Sequence, residues 1–144
     1  MSNIVITNSS SRLTKDNIVS LEKLVEYCLP TDFEDFYLLS NGGIADKTYF
    51  YIDKDDDFVE ISQFIPISYV NDILGEMSIE SSYKKLIEIG FPKNFLPFGV
   101  DWGGNYFSLD LEKGNILLLL MDLGDFNDKC IKYIAPCFLD FINN

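Results

Sequence analysis

The chain has 144 residues, 47% of them apolar and 15% aromatic, which is enough for one core and too much for a disordered chain. It carries 11 Lys and Arg against 23 Asp and Glu, a net charge of −12 at pH 7. That balance argues against nucleic acid or an anionic membrane as partner, since both demand cationic surface, and favours a basic macromolecule.

The first twelve residues read as a loose tail or an edge strand built on Ile4, Val5 and Ile6. Thr14 reads as an N-cap, with Asp16 in the first turn and Leu13 placed to staple onto Ile18. Ile18, Leu21, Leu24, Val25 and Cys28 form an apolar stripe at helical spacing, and Pro30 is expected to stop this helix. Thr31-Asp32-Phe33-Glu34 reads as a capping box opening a second helix with Phe33, Phe36, Tyr37 and Leu39 as its bulk. Asn41-Gly42-Gly43 is expected to end it, because Asn and Gly accept the left-handed conformation.

The period then changes. Thr48 to Ile52 and Phe58 to Ile65 read as strands joined by the acidic turn Asp53-Lys54-Asp55-Asp56-Asp57. A mixed stretch from Asn71 to Gly90 is helical in its second half, where Tyr83, Leu86 and Ile87 share a side. Leu96 to Val100 is a short apolar segment. Tyr106 to Leu111 alternates, with Phe107, Leu109 and Leu111 on one face and Tyr106, Ser108 and Asp110 on the other. The turn Glu112-Lys113-Gly114-Asn115 leads into Ile116 to Met121, a continuous apolar run expected to be a central strand covered on both faces. Ile134, Cys137, Phe138, Phe141 and Ile142 predict a closing helix, with Pro136 in its first turn. The expected class is α+β: one domain over residues 1–144, with a mainly antiparallel twisted sheet packed by N-terminal helices and a C-terminal helix.

Two counts bear on chemistry and compartment. There is no His, which excludes a Ser-His-Asp triad, a Cys-His dyad and the usual catalytic zinc site. The cysteines, Cys28, Cys130 and Cys137, are odd in number and lack CxxC spacing, which fits a reducing compartment. The N-terminus shows no basic and apolar leader pattern, and the longest apolar run falls far short of the about 20 residues that span a bilayer. A cytoplasmic, non-membrane protein is expected.

Several signatures stand in one order along the chain: Leu29-Pro30, Asn41-Gly42-Gly43, Phe64-Ile65-Pro66-Ile67, Leu96-Pro97-Phe98-Gly99-Val100-Asp101-Trp102-Gly103-Gly104-Asn105-Tyr106-Phe107 with Leu109-Asp110, and Ile134-Ala135 before Phe138 and Phe141. Over roughly residues 15–142 this set resembles the SUKH superfamily, named partly for a yeast regulator of cell-wall glucan synthesis. The resemblance implies an α+β fold without an active site. It further implies, for bacterial members, immunity proteins that each neutralise a cognate polymorphic toxin, often a nuclease. It carries over fold determinants only: Pro30 for a helix start, Asn41 and Gly42 for its end, and Gly99, Asp101, Gly103, Gly104 and Asn105 for a tight turn into a strand.

The residues leave three candidate sites to weigh. Asp53, Asp55 and Asp57 match positions 1, 3 and 5 of an EF-hand loop, but Phe58 stands where Gly is required and Phe64 where a bidentate Glu is required. No metal and no cofactor is therefore expected, and Asp53, Asp55, Asp56 and Asp57 read as a solvated hairpin tip or an acidic patch for a basic partner. The loop from Asp101 to Asn105 lacks the phosphate-cradling pattern and leads into a strand, so it reads as a glycine turn. Trp102 on it reads as core or as a partly exposed partner anchor. Asp101, Asp110, Asp122 and Asp125 could supply a glycosidase pair, and Asp122, Asp125 and Asp128 a weak chelate, but no fixed spacing supports either. The expectation is a non-enzymatic binding protein that occludes a basic toxin. A regulator or scaffold in a cell-wall pathway is the alternative, and a carbohydrate-active enzyme comes third.

Overall fold

The computed structural model describes residues 4–52, 54–67, 77–123 and 126–143. Asp53, Asp125 and the first part of the stretch beginning at Asn71 lie outside them. Helix α1 (Lys15–Val25) starts at Thr14, whose backbone N–H donates to Asn17 Oδ1 at 2.8 Å. It buries Ile18, Leu21 and Val25. The helix ends well before Pro30, because Glu26 turns left-handed (φ 65°) and its N–H closes on the Glu22 carbonyl. Cys28 is therefore outside the helix and exposed, contrary to its expected place on the apolar stripe; the buried cysteine is Cys130.

Helix α2 (Thr31–Leu39) is capped by Pro30, which sits in extended conformation and whose carbonyl accepts the Glu34 N–H at 3.0 Å. The expected capping box at Thr31 does not form, since Thr31 is already inside the helix. The Asp32 carboxylate instead accepts the Phe33 N–H at 2.8 Å and the distant Leu139 N–H at 3.0 Å.

The described strands all pair antiparallel. β1 (Ile6–Thr7) pairs with β2 (Ile44–Ala45), so the N-terminal segment is a strand. β3 (Tyr49–Ile52) and β4 (Asp57–Glu60) form a hairpin. β5 (Gln63–Phe64), β6 (Phe95–Val100), β7 (Tyr106–Asp110), β8 (Ile116–Leu119) and β9 (Ile131–Ala135) make a five-stranded sheet in that order. The strand expected from Phe58 to Ile65 is divided between hairpin and sheet. Ile61 N–H donates to the Thr48 carbonyl at 2.8 Å, whereas Ser62 N–H donates to the Val100 carbonyl at 2.7 Å. Helix α3 (Ile79–Glu88) buries Ile79, Tyr83 and Leu86.

Every residue of β6, β7 and β8 is buried, so both faces of the sheet centre are covered. Tyr106, Ser108 and Asp110 are inside along with their apolar neighbours; alternation marked two faces here, not core against solvent. β8 holds the expected central place between β7 and β9. Ile134 is the fourth residue of β9 and not the start of a helix, because the chain first completes its ladder with β8 up to Ala135. The closing helix α4 is shorter, Phe138–Asn143.

Aromatic rings bind these layers. Phe98 of β6 meets Phe138 of α4 with centroids 5.3 Å apart and Phe33 of α2 at 5.9 Å, both edge to face. Phe50 of the hairpin stacks on Phe141 at 4.6 Å. Edge-to-face and offset pairs add about 0.5–1.5 kcal/mol each beyond the area they bury.

Two polar side chains at the C-terminal end of α2 fasten the chain to that core. The buried Tyr37 hydroxyl shares its proton between the Ile65 carbonyl at 2.8 Å and the Phe98 carbonyl at 3.0 Å. Asn41, expected as a left-handed cap, has no positive φ; Ser40 ends the helix in extended conformation and the left turn falls on Gly42 and Gly43. Asn41 is instead a buried bracket. Its Nδ2 donates to the Ser11 carbonyl at 2.9 Å and the Ile67 carbonyl at 2.8 Å, while its Oδ1 accepts the Ile67 N–H at 2.7 Å.

Two glycines separate conformational strain from steric conflict. Gly104 has φ +85° and open space around a would-be Cβ, so Gly104→Val is expected to cost about 1–3 kcal/mol through backbone strain alone. Gly42 has φ +71°, and a Cβ there would meet the Pro66 backbone nitrogen at 2.6 Å. Gly42→Val should therefore lose distinctly more stability than Gly104→Val in urea titrations; equal losses would refute the contact. Burial also holds the Tyr37 hydroxyl pKa well above its ordinary 10.0, so the folded state keeps a proton that the unfolded state releases. The stabilisation is complete below pH 10 and falls as pH rises beyond it. Tyr37→Phe should cost about 1–3 kcal/mol at neutral pH, by leaving the Ile65 carbonyl unpaired, and should show a shallower decline of melting temperature above pH 10 than the native chain.

Candidate partner-binding surface

The β3–β4 register sorts the hairpin into two faces. Phe50 and Ile52 point into the core, with Val59 opposite Phe50 and half-buried. Tyr49 and Tyr51 pair with Glu60 and Phe58 on the outer face, where Tyr49 is 57% and Phe58 60% exposed. Tyr51 and Phe58 meet edge to face at 5.4 Å.

The acidic tip is more ordered than a bare solvated loop. Asp56 occupies a left-handed turn position (φ 48°), and Tyr51 Oη donates to its carboxylate. Asp57 Oδ1 accepts the Phe58 N–H at 2.7 Å. Asp55 faces Lys132 of β9 at 3.6 Å, and the Lys54 ammonium sits 5.4 Å from the Tyr133 ring. Both contacts reach from the tip to β9. Exposed ion pairs of this kind contribute about 0–1 kcal/mol, so they orient the tip without deciding stability.

The loop after β6 is built around Asp101. Its Oδ1 accepts the N–H groups of Gly103 at 2.9 Å and Asn105 at 2.8 Å, and its Oδ2 accepts Asn105 Nδ2 at 3.0 Å. Asn105 Oδ1 in turn accepts the Met121 N–H at 2.9 Å. Gly104 supplies the positive φ, and Gly99 lies in β6 opposite Phe107. This bracket fixes the backbone and pushes Trp102 outward, where it is 76% exposed.

Trp102 and the hairpin border one cleft of about 280 Å³. Val59 and Glu60 of β4 form one side, Asp101 and Trp102 another, and buried Phe107 and Leu118 the floor. Of the expected partner-binding residues, Trp102 lines this cleft. Asp55, Asp56 and Asp57 stand at the other end of β4, about 10 Å along the strand from Glu60 at 3.3 Å per residue. The structure thus joins Trp102 to the hairpin but not to its tip. Tyr49, Phe58 and Glu60 were missed as surface residues; the alternation of Tyr49 and Tyr51 with core-bound Phe50 and Ile52 was the signal that could have found them. A second hollow, about 300 Å³, lies among Ile4, Ile6, Phe36, Leu39 and Leu139.

Two of the four candidate acid residues, Asp101 and Asp110, are tied into the fold. Asp110 is buried, and its Oδ1 accepts Asn94 Nδ2 and the Glu112 N–H, each at 2.9 Å. Asp101 is the centre of its own turn. Among the described residues no cluster of three or more His, Cys, Asp or Glu is placed to hold a metal ion, and no helix is long and apolar enough to cross a membrane.

Comparison with known proteins adds a family. Residues 12–144 match the family described as SMI1 / KNR4 family (SUKH-1). No curated protein matches the chain. Among solved structures it is similar to one titled "Crystal structure of protein from Pseudomonas syringae pv. tomato", with a TM-score of 0.51 and 16% identity over 79% of this chain and 72% of that one. At that identity the likeness speaks for the fold alone. The family supports a non-enzymatic domain of the immunity or regulatory type. With its ordered motifs placed in an α+β fold and the match spanning residues 12–144, the chain belongs to the SMI1 / KNR4 family (SUKH-1).

Proposed function

We propose that the protein is a cytoplasmic immunity protein that binds a basic cognate toxin and blocks it by occlusion, without chemistry of its own. The observation that carries this reading is the set of exposed aromatics just described: Trp102 lies in the cleft lined by Glu60 and Asp101, and Tyr49 and Phe58 lie on the outer face of the hairpin whose tip carries Asp56 and Asp57. Exposed aromatic anchors ringed by polar groups mark protein interfaces, because each supplies a large contact area at little cost in side-chain entropy. The acidic surroundings select a cationic partner and raise its encounter rate; a nuclease cleft, built to hold phosphates, has that charge.

The test starts from the gene neighbourhood, where a large toxin gene with a variable C-terminal domain is expected, and uses that domain. Co-expression should protect cells, and association measured by stopped flow should slow as salt rises, because exposed charges are screened beyond about 8 Å at physiological ionic strength. The triple change Asp55→Asn, Asp56→Asn, Asp57→Asn should leave stability within about 1 kcal/mol, since it removes one exposed ion pair and also relieves mutual repulsion. It should slow association and leave dissociation nearly unchanged. Salt-independent association would overturn the electrostatic part of the proposal. Failure to protect cells, with the protein folded and present, would overturn the immunity reading and leave the regulatory one. Native-like association by the triple mutant, together with loss of binding on Leu39→Asp, would move the interface to the hollow at Leu39.

A further inference from the structure

We infer that the cleft between β4 and the Trp102 loop is a receptor for a single arginine side chain of the bound partner. The inference rests on the protein-binding reading above and specifies its chemistry. Three features of the cleft, taken together, select a guanidinium on an aliphatic stem. Val59, half-buried, and the almost fully buried Phe107 and Leu118 give the cleft an apolar lining along which three methylenes can lie. Trp102, 76% exposed, lines the cleft from a loop whose backbone the Asp101 bracket holds, and a planar cation stacks on an indole face. Glu60 and Asp101 also line the cleft and bring two acidic residues beside the indole. Asp101 accepts only from N–H groups of its own loop, with no cation paired to it among the described residues, and Glu60 accepts a long hydrogen bond from the Thr48 hydroxyl, at 3.4 Å.

The shape excludes other occupants. An acidic side chain would bring a third negative charge between two carboxylates. A neutral apolar side chain would bury the floor but leave the carboxylates desolvated without a partner. A lysine would reach, but its compact ammonium neither stacks on the indole nor bridges two carboxylates as a planar fork does. The rim is preorganised: Trp102 hangs from a loop whose backbone is fixed by four hydrogen bonds involving Asp101 and Asn105. The backbone share of the ordering cost is therefore small, and only the side chains remain to be ordered on binding.

Trp102 is the one tryptophan of the chain, so its fluorescence reports this cleft without a label. The protein is titrated with N-acetyl-arginine amide, and in parallel with the lysine, citrulline and norleucine analogues at equal ionic strength. Arginine should give a saturable change in emission in the millimolar range. Lysine should bind several-fold more weakly, and citrulline, which keeps the shape without the charge, should give no saturation. Glu60→Gln should weaken arginine at least three-fold while melting like the native protein. In Trp102→Leu, the amide shifts that arginine induces at Val59 and Glu60 in nitrogen-15 spectra should disappear, a readout independent of fluorescence. Equal responses to arginine and citrulline, an unchanged affinity in Glu60→Gln, or shifts centred on Leu39 and Leu139 would each overturn the assignment. No toxin enters these titrations. A cleft that binds arginine in a protein that fails to protect cells would refute the immunity reading alone. A cleft that ignores arginine in a protein that does protect would refute only this one.

Discussion

The buried amide of Asn41 is the contact on which the placement of everything else turns. It answers three backbone groups that have no strand partner: the carbonyls of Ser11 and Ile67 and the N–H of Ile67. Each such group left unpaired in the interior costs about 1–3 kcal/mol, a large share of the 5–15 kcal/mol that holds a domain together. Through it the N-terminal segment, the end of α2 and the chain leaving β5 are held at one point. Tyr37, one helical turn earlier, adds the Ile65 and Phe98 carbonyls to the same fastening. With residues 65–67 held there, β5 lies along β6 with Gln63 opposite Val100. The next residue of the chain beyond β6 is Asp101, so the Trp102 loop inherits its position from α2.

The hairpin reaches the same place by another route. Its inner face is anchored by Phe50 on Phe141, and its base by the Ile61 N–H on the Thr48 carbonyl. Ser62 then crosses to the Val100 carbonyl. The hairpin's last hydrogen bond therefore lies close to the loop that carries Trp102, and the cleft forms where the two supports converge. A site built this way is rigid because neither wall can move without breaking a core contact.

Much of the fold was legible because its determinants are local. The 3.6-residue stripe of Ile18, Leu21 and Val25, the apolar run of β8 and the Gly104 turn each depend on neighbours within a few positions. The errors share a physical cause as well. Asn41 looks like a cap because Asn tolerates left-handed backbone, but a distant pair of carbonyls offered its amide more than local geometry did. Ile134 sits at helical spacing from Phe138 and Phe141, yet the open edge of β8 needed a ladder partner, and hydrogen bonding along Ile131–Ala135 outweighed the periodicity. The break between Ile61 and Ser62 lies inside an unbroken β-like run; only the availability of Val100 decides it. In the site, Trp102 and the acidic turn were each visible, but their spatial relation depends on the strand order, which no local pattern carries.

The separation of the tip from the cleft divides the labour of the surface. Charge at Asp55 to Asp57 acts over distance: it is exposed, partly balanced by Lys132 and Lys54, and suited to drawing a cation toward the molecule. Glu60 and Asp101 line the cleft together with the indole and the apolar Phe107 and Leu118, so under the proposed reading they would act on a partner at contact and not over distance. Under the proposed function, a partner steered by the first group and held by the second would gain speed from one and residence time from the other, which are separable quantities. The exposure of Trp102 belongs to this division. A loop fixed by Asp101 and Asn105 could have turned its large residue inward and gained the burial; the indole instead lies outside, 76% exposed, beside residues that are already buried. Under the proposed reading, the exposed indole is stability forgone in the free state that a bound side chain would restore.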